Sequence, residues 1–106
     1  MPAAPAPDVA EVLARAKALK DLGRLREALE VVADAMQLPG ATQMLTSPDL
    51  HWVQAWLLVS LSGQTGSHTY LVDATDEFRS VITLAGAHTD LGREAQRALD
   101  RIARRE

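Results

Sequence analysis

The chain has 106 residues, a formal net charge of −3 and no cysteine. Its length fits one domain and leaves no room for two. The lack of cysteine excludes disulfides, thiolate metal sites and cysteine nucleophiles. The negative net charge gives the whole molecule no general attraction to nucleic acid or to anionic membranes.

The N-terminal segment and the most apolar stretch of the chain predict its domain organisation and its compartment. Residues 1–7 contain three prolines and little that can be buried, so they are predicted to form a disordered tail before a single domain over 8–106. The most apolar stretch, 52–61, is much shorter than the roughly 20 residues that a membrane-spanning helix needs. We therefore expect no membrane insertion and a cytoplasmic protein.

The first half of the chain has the pattern of two amphipathic helices. Asp8, with Glu11 three residues later, is typical of a helix N-terminus, and apolar residues at spacings of three and four continue to Leu22. The same spacing predicts a second helix from Leu25 to Leu38. The residues expected to end the two helices are Gly23 and the pair Pro39-Gly40.

A third helix follows a predicted linker over residues 40–48. It should begin at Ser47 or Asp49 and end at Ser62, with residues 63–67 as a loop. Its residues are apolar on nearly every side, and a helix without a polar face must be covered by others. We therefore expect it at the centre of the fold.

Two more helices are predicted in the last third of the chain. One runs from Ser67 or Thr69 to Ala85, although Asp73 could cap a shorter version. The other runs from Thr89 or Asp90 to Arg105. No strand alternation and no hairpin dipeptide occurs, so the sequence predicts an all-α fold of about five helices.

Small and large apolar residues recur at fixed positions along the first two predicted helices. With Gly23 between the helices, this arrangement resembles one tetratricopeptide repeat, closely over residues 12–39 and loosely over 8–106. Trp52 would take the large aromatic position of a second, degenerate repeat with Gly63 as its turn glycine. The residues that carry the first match are Val12, Ala16, Leu19, Ala28, Val32 and Ala35. The departures are Arg15, Gly40 and Trp56, where the family usually has an apolar residue, a proline and a small residue.

The resemblance implies a short α-solenoid, a right-handed helical stack in which the last helix caps the open end. It also implies a non-catalytic protein–protein interaction module, either an adaptor or a self-associating scaffold, that holds a peptide or helix in a concave groove. Basic residues at Lys17 and Lys20 would favour an acidic partner. The groove residues that it implies are Arg15, Lys17, Gln54, Ala55, Leu58 and Ser62.

The last predicted helix carries an arginine at every fourth position. Such residues form one row along a helix, which could bind an acidic peptide or phosphates or could be a solvated outer face. A nucleic-acid accessory protein is the first alternative function, although no aromatic residue interleaves with the row to stack on bases. The row consists of Arg93, Arg97, Arg101 and Arg105.

Trp52 and Trp56 lie one turn apart on the third predicted helix. They could fill the core of a small helical domain, or they could be partly exposed anchors for a partner or for a second copy in a homodimer. Both interpretations stay open at this point.

Residues that could carry chemistry are few. His51, His68 and His88 lie on different predicted elements, without a ligand-type residue at helical spacing, so the sequence predicts no metal site, no cofactor and no catalytic residue. Three nearby carboxylates could hold a cation, or they could stabilise a helix N-terminus. A small ligand-binding protein or enzyme is the second alternative, and it would need a closed pocket beside His51 or these carboxylates. The carboxylates are Asp73, Asp76 and Glu77.

Overall fold

The computed structural model describes residues 8–38 and 41–105, without the side chain of Arg105. Within these ranges the chain forms six α-helices and no strand, which confirms the prediction of an all-α fold. The predicted tail over 1–7 and the Pro39-Gly40 helix end lie outside the described residues. The helices are α1 (Val9–Asp21), α2 (Leu25–Met36), α3 (Thr42–Leu45), α4 (Pro48–Thr65), α5 (His68–Ala85) and α6 (Asp90–Arg105).

The starts of α1 and α4 have side-chain caps, whereas α5 has none from Ser67. The Oδ1 atom of Asp8 accepts a hydrogen bond from the backbone N–H of Glu11 at 2.8 Å, so the predicted N-cap of α1 is confirmed. The Oγ atom of Ser47 accepts one from the N–H of Leu50 at 3.3 Å, and Pro48 occupies the first helical position, where its missing N–H costs nothing.

The loop predicted over residues 63–67 is wrong in its first half, because α4 continues to Thr65. Gly63 lies inside the helix, where a glycine costs only about 1 kcal/mol relative to alanine. The turn glycine is Gly66, whose φ of 72° is left-handed and whose N–H donates to the carbonyl oxygen of Ser62 at 2.8 Å.

The predicted linker contains the extra helix, so the expected number of five was too low for the described residues. The four residues of α3 are too few to show an apolar period. The side chain of Met44 is nevertheless buried, and it anchors α3 to the rest of the molecule.

The hydrophobic core consists of two clusters that share α4. The first cluster joins α1 and α2 to Leu50, Leu57 and Leu61 of α4. The second joins Ala55 and Leu58 of the same helix to buried residues of α5 and α6. Both sides of α4 are therefore covered, as its apolar composition predicts.

Consecutive helices pack against each other along the chain. Only Gly66 and Ser67 separate α4 from α5, so α5 must run back along α4. In the same way α2 follows α1 after a three-residue connection. This arrangement leaves one side of α4 between α1 and α6, and the candidate site lies there.

Candidate partner-binding groove

Trp52 and Trp56 lie next to each other on the side of α4 that faces α1. Because they are four residues apart on a helix, their side chains share one face. Both are half-buried and line a groove of about 330 Å³ between α1 and α4, which we call the tryptophan groove. Its other lining residues are Leu13, Lys17, Lys20, Asp21, Val53 and Leu57.

Phe78 of α5 packs against both indole rings. The ring centroids of Trp52 and Trp56 lie 5.7 Å and 5.3 Å from that of Phe78, at interplanar angles of 72° and 78°. The two indoles are themselves 5.7 Å apart and edge-on. Phe78 is completely buried, and such edge-to-face contacts are favourable, so the three rings stabilise one another at the floor of the groove.

The groove continues from α4 towards α6. Trp56 also lines a smaller cavity of about 60 Å³ with Val59, Ala98 and Arg101. One indole ring is thus shared by both cavities. Together the two cavities are lined by residues of α1, α4, α5 and α6.

The described members of the arginine row have different surroundings. Arg93 lies 4.0 Å from Asp90, and Arg97 forms an ion pair with Glu94. Arg101 has no ion-pair partner among the described residues and lines the cavity beside Trp56. The side chain of Arg105 lies outside the described part. The charge of the first two arginines is thus partly offset on their own helix, which weakens the row as a phosphate-binding strip.

The structure distributes the implied groove residues over several places. Lys17 lines the tryptophan groove, and Arg15 is exposed on the same helix but is not among the lining residues. Gln54 and Leu58 line a separate groove of about 280 Å³ on the opposite side of α4. Ala55 and Ser62 are buried.

The register of α4 differs from the predicted one, which accounts for part of this distribution. The resemblance places the turn at Gly63, whereas the structure places it at Gly66. A shift of three residues rotates the expected face by about 60° around the helix. The same helix has no polar face that could indicate its orientation from the sequence.

His51 and Glu77 form a contact that the sequence did not reveal. The imidazole Nδ1 lies 2.5 Å from Oε2 of Glu77, and Nε2 lies 2.7 Å from the carbonyl oxygen of Leu45. His51 is buried and so joins α3, α4 and α5. In the sequence, α4 and α5 each have a polar or charged residue beside their apolar residues. This pattern suggests a buried polar pair but does not identify its two members.

The three carboxylates lie in the interior of α5, which has no acidic residue in its first turn, so they do not stabilise its N-terminus; two of them have basic neighbours. Asp76 lies 3.9 Å from Arg79, and Glu77 binds His51. Asp73 is exposed and lines the groove that contains Gln54, whose Oε1 atom is buried without a hydrogen-bond partner among the described residues. No group of three histidine or carboxylate side chains in the described ranges is arranged to hold a metal ion.

Across residues 8–38 and 41–105, no helix combines sufficient length with sufficient apolar character to cross a bilayer.

Comparison of the chain with protein-family models, with curated proteins and with solved structures gives no match.

Proposed function

We propose that this chain is a non-catalytic protein–protein interaction module that binds a peptide or helix of another protein in the tryptophan groove. The observation that carries this proposal is the pair of half-buried indole rings held edge-on against Phe78. Tryptophan is enriched among the residues that contribute most to protein–protein binding. Rings that already pack against one another also have less conformational entropy to lose on binding.

The shape of the groove supports a macromolecular partner. It lies between α1 and α4, and a second, smaller cavity on Trp56 reaches α6. An elongated ligand could follow this surface, and an amphipathic helix that lays its apolar side into a groove is a common form of recognition.

We further propose that the module is similar in organisation to tetratricopeptide repeats. Two observations support this proposal: successive helices pack as pairs, and alanines such as Ala16 and Ala28 are fully buried between larger residues. In this interpretation α1 and α4 are the first helices of two pairs, and α6 covers the end.

Peptide selection followed by tryptophan fluorescence tests the proposed function. A display library of random peptides of about 15 residues, long enough to form a helix, is selected against the immobilised full-length chain. Synthetic versions of the enriched peptides are then titrated into the chain. Because its two tryptophans both lie in the groove, their emission should change on binding.

Substitutions on the two sides of α4 locate the binding site. Trp56→Ala should weaken the selected peptides by about 2 kcal/mol or more, as expected for a central anchor, whereas Asp73→Ala at an exposed position of the opposite groove should not. If Trp56→Ala unfolds the chain, Lys20→Cys carrying a bulky label replaces it, since this thiol would be unique. The proposal is contradicted if no peptide is enriched. It is also contradicted if the enriched peptides bind equally well after Trp56→Ala and after labelling of Lys20→Cys.

A second copy of the chain is the alternative occupant of this groove. Sedimentation of the wild-type chain and of Trp56→Phe over a wide concentration range distinguishes it. A dimer that is weakened by the substitution would identify a second copy as the partner. A monomer in both cases would leave the groove free for another protein.

A further inference from the structure

The two cavities on either side of Trp56 have basic residues at their outer edges. Lys17 and Lys20 of α1 lie at one edge, and Arg101 of α6 lies at the other. None of these three cations has an ion-pair partner among the described residues, in contrast to Arg93 and Arg97. The apolar floor is thus bordered by unpaired positive charge on two sides.

One acidic residue, Asp21, also lines the tryptophan groove, at the end of α1. It offsets only part of the charge of the three cations. The opposite groove has the reverse character, since Asp73, Asp76 and Glu77 line it without a basic residue. The two sides of α4 are therefore electrostatically different, and a charged ligand can distinguish them.

We propose that the partner is an amphipathic helix with an apolar anchor between two acidic borders. This proposal rests on the proposed function and specifies the ligand of the same groove. The anchor packs on Trp52 and Trp56, carboxylates on one border approach Lys17 and Lys20, and those on the other approach Arg101. Residues three and four apart on the partner helix share its apolar face, and the acidic residues flank that face.

Arg101 therefore differs in role from the rest of the arginine row. A phosphate-binding strip would use all its members about equally, because each neutralised phosphate releases counterions in the same way. The groove uses the one described member that lines the cavity and is unpaired. Arg97, one turn earlier and paired with Glu94, is a matched control on the same helix.

The test uses peptides selected as above against the intact chain. We expect the enriched sequences to carry aspartate or glutamate on both sides of a large apolar residue. Arg101→Glu should weaken the best peptide about tenfold or more, and so should the double change Lys17→Glu with Lys20→Glu. Arg97→Glu should change the affinity less than about twofold. A version of the peptide with glutamine in place of glutamate should bind all variants equally weakly.

The outcomes separate this proposal from the proposed function. Peptides that depend on Trp56 but are neutral or basic would overturn the acidic partner and leave the groove as the binding site. Equal losses for Arg97→Glu and Arg101→Glu would also overturn it, in favour of a general electrostatic effect of the row. All the charge variants alter exposed side chains, and circular dichroism verifies that each is folded.

Discussion

His51 shows how much a single buried polar residue can organise in this molecule. The carbonyl oxygen of Leu45 can only accept a hydrogen bond, so Nε2 of the imidazole must carry the proton and donate it. Nδ1 contacts Oε2 of Glu77 at 2.5 Å. The ring is thus bound at both nitrogens, and α3 is held to α4 by a side chain rather than by apolar packing alone.

Removal of this imidazole should destabilise the fold. In His51→Ala the carboxylate of Glu77 and the carbonyl of Leu45 lose their partner at a part-buried place, which costs about 1–3 kcal/mol. Glu77→Gln keeps a hydrogen-bonding group and should cost less. Urea unfolding measures both changes.

The control for the histidine prediction is His88→Ala in the exposed turn before α6. A surface substitution of this kind should change the free energy of unfolding by about 0.5 kcal/mol or less. Equal effects of the substitutions at His51 and His88 would show that the buried contact contributes nothing to stability.

The pairing of His51 with Glu77 could not be predicted from the sequence. The two residues are 26 positions apart, and no local pattern relates one helix to the other. Their contact depends on the axial register and rotation of α4 against α5. Local signals do define the N-cap at Asp8, because a capping interaction spans only a few neighbouring residues.

At the scale of the helix, two glycines close together in α4 have opposite structural roles. Gly63 is helical, and a methyl group added there would meet no atom within 4 Å. Gly66 ends the helix with a φ of 72°, which side chains other than glycine rarely adopt. The sequence alone does not distinguish them, since either could end the apolar run.

Alanine substitutions at these two positions should change stability in opposite directions. Gly63→Ala should raise the free energy of unfolding by about 0.5–1 kcal/mol, because glycine is unfavourable inside a helix. Gly66→Ala should lower it by about 1 kcal/mol or more, because the left-handed conformation is strained for alanine. Thermal and urea unfolding test both. A loss of stability at Gly63 would place the helix end there, as the sequence suggested.

The orientation of α4 is the main feature that the sequence left undetermined at this scale. An amphipathic helix such as α6 shows its buried side through its apolar stripe. In α4 apolar residues lie on all sides, so its central position could be predicted but its rotation could not. The tetratricopeptide resemblance implies Gln54 and Leu58 in the same groove as Lys17, whereas they lie on the opposite side.

At the scale of the whole molecule, α4 connects the two core clusters. Repeat proteins can unfold in parts when each unit contacts only its neighbours. Here Leu57 belongs to one cluster and Leu58 to the other, on a single helix. Loss of either cluster therefore exposes apolar residues of α4, and we expect the chain to unfold as one cooperative unit.

Hydrogen exchange tests this cooperativity. Val32→Ala removes two methylene equivalents from the first cluster and should cost about 2 kcal/mol. The most protected amides of α6, which belongs to the second cluster, should lose the same amount of protection. Val72→Ala, at a half-exposed position of α5, serves as the control and should have little effect. Unchanged protection in α6 would show that the two halves open independently.

The tryptophans of the groove also pack against the second core cluster, and this dual use limits how the surface can evolve. Trp52 and Trp56 cannot be replaced freely to suit a new ligand, because the same rings cover Phe78. The side chains of Lys17, Lys20 and Arg101 do not have this structural role. A lineage that changes its partner would therefore be expected to vary these charged positions and retain the aromatic pair.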